Sequence, residues 1–160
     1  MCRISLHEIT AANWRATLCL TVHPEQQRFI ADYTPIASLI LAKAYVRPGG
    51  LLWTPYPICD EQTLIGLLAL AYQPDSIDQY WIYHFFIDQQ HQGQGYGTAA
   101  LGSLINLVTV QHPKCRQLNL MVHPENLRAQ QLYRHFGFEV TGQQIDGELV
   151  YQRIIPRRND

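Results

Sequence analysis

Apolar and polar residues along this chain switch between two periods. Ile4 and Leu6, followed by Ile9, alternate with polar neighbours as in a strand, and Thr10 then offers an N-cap for a helix through Trp14 and Leu18. A second helix is predicted over residues 35–45, stopped by the breaker cluster Arg47-Pro48-Gly49-Gly50. Strands are predicted at 51–58, 64–72 and 80–87. Pro55 and Pro57 confine the first of these to an edge or an irregular course, because proline has no N–H for a ladder. Beyond Ile87 the spacing of Leu101, Leu104, Ile105 and Val108 is that of a helix face. A strand at 117–122 follows, then a helix opened near Asn126 with the stripe Ala129, Leu132, Tyr133 and Phe136, halted by Gly137. Asp146-Gly147 divides the remaining β-rich run into a hairpin. Strands interspersed with helices and closed by a hairpin describe a mixed α/β sheet.

Composition narrows the class. The chain has 160 residues, 47% hydrophobic and 16% charged, with a net charge of −1. It is expected to form a single domain over 1–160, with 156–160 as a frayed tail. Near-neutral charge gives no electrostatic footprint for nucleic acid. The start of the chain shows no apolar leader, and the longest apolar run, at 64–72, falls far short of the roughly 18 residues of a membrane span, so the expectation is a cytoplasmic protein without a membrane partner. Cys2, Cys19, Cys59 and Cys115 form no C-x-x-C pair, and the seven histidines have no metal-ligand spacing, so no metal is expected. Val-His-Pro-Glu occurs at 22 and at 122, in different surroundings that mark it as coincidence.

The Gly-dense stretch His91-Gln92-Gly93-Gln94-Gly95-Tyr96-Gly97-Thr98 stands between a predicted strand and a predicted helix. That arrangement presents bare N–H groups and a positive helix end to an anion. One favourable charge at a helix N-terminus contributes only about 0.3–1 kcal/mol, so several amides must converge, and side chains there would obstruct them. A Walker loop is excluded because Gly97-Thr98 has no lysine between its residues. A dinucleotide fingerprint is excluded because Thr98 or Ala100 stands where its third glycine belongs, and no acid occurs between Gly97 and Glu125.

What does fit is Ile87-x-x-x-x-Gln92-x-x-Gly95-x-Gly97, together with Asn126-x-x-Ala129-x-x-Leu132-Tyr133-x-x-x-Gly137-Phe138. In these two motifs, in this order, the chain resembles the GNAT superfamily of N-acetyltransferases. The resemblance extends over most of the chain and is sharpest between Tyr80 and Tyr151. Ile9-Thr10-Ala11-Ala12-Asn13-Trp14, Val22-His23-Pro24-Glu25-Gln26, Phe29-Ile30-Ala31 and Ala42-Lys43-Ala44-Tyr45 are similar to the spermine/spermidine (diamine) branch. The resemblance implies an α/β (α+β) GNAT fold: a mixed sheet splayed between its fourth and fifth strands, helices on both faces and a C-terminal hairpin. It implies acetyl-CoA as co-substrate and a small-molecule amine as acceptor, with a polyamine as first guess, and it makes a homodimer a frequent state. Phe85, Phe86 and Ile87 would hold the pantetheine arm; Gln92, Gly93, Gln94, Gly95, Tyr96, Gly97 and Thr98 would take the pyrophosphate; Asn126 would contact the cofactor near the next helix.

The chemistry so implied needs an acid and a base. An alkyl ammonium of pKa ~10.4 costs roughly 4.6 kcal/mol to deprotonate at pH 7. The leaving thiolate, at ~8.5, then needs a proton, and a tyrosine at ~10 is uphill by about 2 kcal/mol. Tyr133 occupies the family's acid position. For the base, His84 has a suitable intrinsic pKa, Glu25 follows His23-Pro24 in a loop-like segment, and Asp32 and Tyr33 lie near the same rim; a water chain is the remaining option. Other acceptors (a protein N-terminus, an aminoglycoside, an amino acid) and a non-catalytic acyl-CoA sensor stay open. A polyamine pocket should carry several carboxylates, and Asp32, Asp60-Glu61, Asp75 and Asp78 are scattered along the sequence.

Overall fold

The computed structural model describes residues 3–157; residues 158–160 of the expected tail lie outside the described residues. Seven strands, β1 (Ile4–Leu6), β2 (Leu52–Asp60), β3 (Thr63–Tyr72), β4 (Tyr80–Ile87), β5 (Gln117–Val122), β6 (Glu139–Ile145) and β7 (Glu148–Ile154), form one sheet in the order β1-β2-β3-β4-β5-β7-β6. The helices are α1 (Trp14–Thr17), α2 (Gln27–Ile30), α3 (Ile36–Val46), α4 (Tyr96–Gln111) and α5 (Leu127–His135). Neighbouring strands run antiparallel except β4 and β5, which are parallel.

Both faces of the sheet are covered, which explains the near-continuous apolar run of β3. Leu68 and Leu70 pack with Leu101, Leu104 and Val108 of α4, while Leu67, Ala69 and Ala71 pack with Ile36, Ala37 and Ile40 of α3. Leu101, Leu104 and Val108 are fully buried, each contributing roughly 1.5–3 kcal/mol from apolar transfer.

One local expectation is corrected. The first helix has only four residues and opens after Asn13, not Thr10. The Thr10 hydroxyl accepts the Ala12 N–H (3.2 Å) and Asn13 Oδ1 accepts the Thr10 N–H (2.8 Å), so the side chains build a turn before the helix. The strand holding Pro55 and Pro57 follows the irregular course expected of it, with a register shift between Ile58 and Cys59. β1 pairs with β2 only at Ile58, Cys59 and Asp60, so no partner strand needs an N–H from either proline, and the Pro57 carbonyl accepts the His7 N–H (3.0 Å).

The feature that positions the site is a notch. β4 and β5 pair at only two positions, Trp81 with Asn119 and Ile82 with Leu120, and then part. Buried Asn119 rivets the closed end: its Nδ2 donates to the carbonyls of Asp78 (2.7 Å) and Tyr80 (3.0 Å), and its Oδ1 accepts from Gln117 (2.8 Å).

Candidate active site

The notch is widened by a bulge in β4. Tyr83 faces Ala69 and Phe86 faces Leu67, so His84 and Phe85 together oppose Leu68, and His84 adopts a left-handed φ of 51°. The extra residue places Tyr83 and His84, consecutive in sequence, toward the α3 side. Just beyond, Gly66 lies opposite Ile87 so closely that a Cβ there would sit 2.4 Å from the Phe86 carbonyl oxygen.

The chain after β4 is held from within. The buried carboxylate of Asp88 accepts the N–H groups of Thr21 (2.9 Å) and Gln90 (3.1 Å), while its own N–H donates to the Ile65 carbonyl (2.8 Å). Gln92 Nε2 donates to the Ile87 carbonyl (3.0 Å) and to Gln26 Oε1 (2.9 Å), and Gln26 Nε2 donates back to Gln92 Oε1 (3.0 Å). The Gln92 side chain therefore shapes the loop, and only its backbone is left to meet a ligand. Gly93 and Gly95 take φ values of 76° and 80°, and a Cβ at either would meet nothing within 4 Å. The open space in front of them continues to the first turn of α4, where Gly97 and Thr98 have amides with no intrahelical acceptor.

This loop borders a cleft of about 740 Å³ whose walls include Phe85, Phe86, Ile87, Gln92, Gly93, Gly95, Tyr96, Gly97, Thr98, Asn126 and Tyr133. Gln94 is the one loop residue of the predicted set that does not line it. Val22, Phe29, Leu127 and Leu132 add apolar wall, and His91, Arg128 and His135 add basic groups that sequence reasoning did not single out. The carboxamide oxygen of Asn126 caps α5 by accepting the Ala129 N–H (3.2 Å).

A second cavity, of about 340 Å³, shares Phe29, Ile30, Phe85, Asn126, Ala129 and Tyr133 with the first. Its other walls bring together Asp32, Lys43, Tyr83, His84, Asp146 and Glu148. Asp32 thus shares one space with two carboxylates from the other end of the chain, Asp146 and Glu148. These two flank the hairpin turn that Asp146-Gly147 signals, and the scattered acids of the sequence did not include them.

Tyr133 is nearly buried and packs edge-on to Phe138, and its hydroxyl has no hydrogen-bond partner among the described residues. Burial, reinforced by the charge of Glu148, raises its pKa above the usual phenol value, so it keeps its proton at neutral pH. His84 is less available than its position suggested. Its Nδ1 lies 2.7 Å from the Ile30 carbonyl and must donate to it, which leaves Nε2 to accept from Lys43 Nζ at 2.8 Å. Burial lowers the His84 pKa and nearby Lys43 lowers it further, so the ring is neutral with its lone pair already engaged. Burial likewise lowers Lys43, against the opposing pull of Asp32; its ammonium lies over the rings of Trp53 and Tyr83. Glu25 sits exposed on a short turn, Pro24–Gln26, and borders neither cavity, and Tyr33 also lies outside both. Among the described residues no group of three or more His, Cys, Asp or Glu side chains is placed to hold a metal ion. No helix among them is long and apolar enough to cross a membrane.

A notched sheet, a glycine loop opening on a helix N-terminus, and two cavities sharing a tyrosine wall suit transfer between a large anionic donor and a small acceptor. Known proteins similar to this chain in sequence or fold are acetyltransferases. The chain is 28% identical over 153 residues to the spermine/spermidine N(1)-acetyltransferase of Bacillus subtilis (strain 168), covering 92% of this chain and 95% of that protein. Its fold matches an acetyltransferase from Salmonella typhimurium that modifies the N-terminal serine of ribosomal protein L7/L12, with TM-score 0.73, 19% identity and coverage of 96% and 95%. It also matches spermidine N-acetyltransferase from Vibrio cholerae in complex with CoA and spermine, with TM-score 0.72, 19% identity and coverage of 96% and 95%. The sequence profile of the acetyltransferase (GNAT) family matches residues 5–138, and the chain therefore belongs to that family and is an N-acetyltransferase of the GNAT type.

Proposed function

We propose that the chain takes acetyl from acetyl-CoA and places it on a primary amine that carries further positive charge, a polyamine being the class that fits. The observation that carries this reading is the pair of cavities joined at Tyr133: one faces the glycine loop, the other faces Asp32, Asp146 and Glu148. The names of the Bacillus relative and of the Vibrio structure point to the same acceptor class.

In this reading the amides of Gly93, Gly95, Gly97 and Thr98 receive the pyrophosphate, and the apolar strip of Phe85, Phe86 and Ile87 lies along the pantetheine. Asn126 stands where the two cavities meet. Acetyl-CoA supplies the activated acyl group. Tyr133 supplies the proton that the departing thiolate needs, and its raised pKa keeps that proton in place. The thiolate forms against the same half-buried wall, where desolvation raises its proton affinity as well, so the gap between the two groups is not widened by burial alone. The carboxylates outnumber the single ammonium of Lys43 and favour a cationic acceptor. Lys43 itself favours a second reading, an acceptor with a carbonyl or carboxylate beside its amine, such as a peptide N-terminus.

A thiol-release assay with acetyl-CoA separates these. Spermidine, spermine and short diamines are expected to turn over, with little transfer to N-terminal peptides, amino acids or aminoglycosides. Turnover confined to peptides would replace the polyamine reading with the second one. Tight CoA binding without transfer to any amine would make the chain a sensor.

A further inference from the structure

We propose that Glu148 is the residue that receives the acceptor's ammonium group and takes its proton. This assignment rests on the acetyl-transfer reading and adds the base that the two motifs leave unnamed.

Glu148 is set in place by the hairpin. Asp146 and Gly147 turn the chain with φ values of 50° and 81°, and the next pair along the ladder joins Leu149 to Val122, the last residue of β5. Glu148 therefore lies just past the end of β5, at the open side of the notch, and its side chain lines the cavity that Tyr133 also lines. Tyr133 of α5 and Tyr83 of β4 line the same cavity as Glu148.

Among the acids of the described residues that are not exposed (Asp60, Asp88 and Glu148), its carboxylate is also the one without a hydrogen-bond or ion-pair partner. Asp88 holds two backbone amides, Asp60 holds the Tyr96 hydroxyl (2.7 Å), and Glu125 is paired with Arg28 (2.6 Å). The half-buried side chain of Glu148 makes no hydrogen bond or ion pair with any described residue, a costly state that an incoming ammonium relieves. The other candidates are worse placed. His84 has its lone pair engaged by Lys43, Glu25 lies outside the cavity, and Asp32 and Asp146 are exposed. The charged groups around Glu148 act in opposed directions. Burial raises its pKa and Asp146 raises it further, while His123 at the end of β5 lowers it; Lys43 and Asp32 stand elsewhere on the same cavity wall.

The proton balance closes. An N–H bond of the ammonium breaks as a carboxyl O–H forms on Glu148, and the freed nitrogen lone pair attacks the thioester carbonyl carbon. The C–N bond forms, the C–S bond breaks with its electron pair left on sulfur, and Tyr133 gives that sulfur its proton. The nitrogen's second proton returns to the tyrosinate, and Glu148 releases its proton to solvent.

The test compares wild type, Glu148→Gln and Glu148→Asp with spermidine and acetyl-CoA over pH 5–9, alongside calorimetric CoA affinity. Glu148→Gln should lose about 10²–10⁴-fold in kcat/KM and lose the acidic limb of its pH profile. Glu148→Asp should recover part of the rate with that limb displaced, and CoA affinity should stay unchanged in both. A Glu148→Gln variant that binds CoA and keeps the wild-type acidic limb, or stays within threefold of wild type, overturns the assignment while leaving acetyl transfer standing. Wild type inactive on spermidine and on every other amine overturns both together.

Discussion

Gly66→Ala isolates the contact that lets β4 pass close to β3 beside its bulge. The added Cβ would lie 2.4 Å from the Phe86 carbonyl oxygen and 3.2 Å from Ile87 Cα. A carbon and an oxygen settle near ~3.3 Å, so the strand must yield by about 0.9 Å. The obstacle is backbone in a paired strand, not the end of a flexible side chain, which places the cost in the upper part of the roughly 1–3 kcal/mol seen for overpacking. Alanine returns about 0.4–1 kcal/mol by restricting the unfolded chain. The expected net loss is roughly 2 kcal/mol, or about 4–8 °C in Tm for a chain of this length. Gly97→Ala is the control: its Cβ would meet Leu132 at 3.8 Å and Ile87 at 3.9 Å, ordinary contacts, and its Tm should not fall. Because the displaced atoms belong to Phe86 and its neighbours, CoA affinity should drop several-fold in Gly66→Ala. Thermal melts of both variants with calorimetry of CoA decide the matter. Equal melting of Gly66→Ala and wild type would refute the close-approach argument.

Tyr133→Phe should lower kcat between ten- and ten-thousand-fold, solvent replacing the acid at the lower end, with CoA affinity nearly unchanged in calorimetry; undiminished turnover would remove Tyr133 from the chemistry. Gly95→Val places a β-branched residue at φ 80° and a side chain in the space before the loop, so CoA binding should be abolished, and a wild-type dissociation constant would contradict the loop assignment. His84 and His112 both have pKa values lowered by burial from 6.5, so their neutral forms favour the fold. That stability is complete above pH 6.5 and declines as pH falls through the lower folded-state values, since the unfolded chain takes up protons first. Urea midpoints should be lower at pH 5.5 than at pH 7.5, and His112→Phe should narrow the difference; equal midpoints would refute the sign.

The later half of the fold was readable because its signals are long and locally consistent. The apolar β-branched and aromatic run of β4 and the run of β5 both end at the residues the pattern marked, Tyr80–Ile87 and Gln117–Val122. Asn126 caps α5 through its side chain, and Asp146-Gly147 makes the hairpin turn. The segment between Thr10 and Ala31 was not readable, because α1 and α2 have four residues each and are fixed by packing on the sheet. The glycine loop was visible in sequence, yet the role of its Gln92 side chain was not, since its partner Gln26 lies 66 residues away. The second cavity is the least legible part. Asp32, Lys43, His84 and Glu148 meet only through the sheet order, and the partner that engages His84 belongs to a helix 41 residues earlier. The isolated glycine at 66 did carry a signal, a gap in an apolar strand that marks close backbone approach.

The exchanged carboxamides of Gln26 and Gln92 have a mechanical consequence. They fasten the glycine loop to the stretch leading into α2, whose Phe29 and Ile30 form part of the partition between the two chambers. The two chambers therefore share one mechanical support: the glycine loop that walls the first is tied, through two hydrogen bonds between side-chain carboxamides, to the short helix that helps divide it from the second.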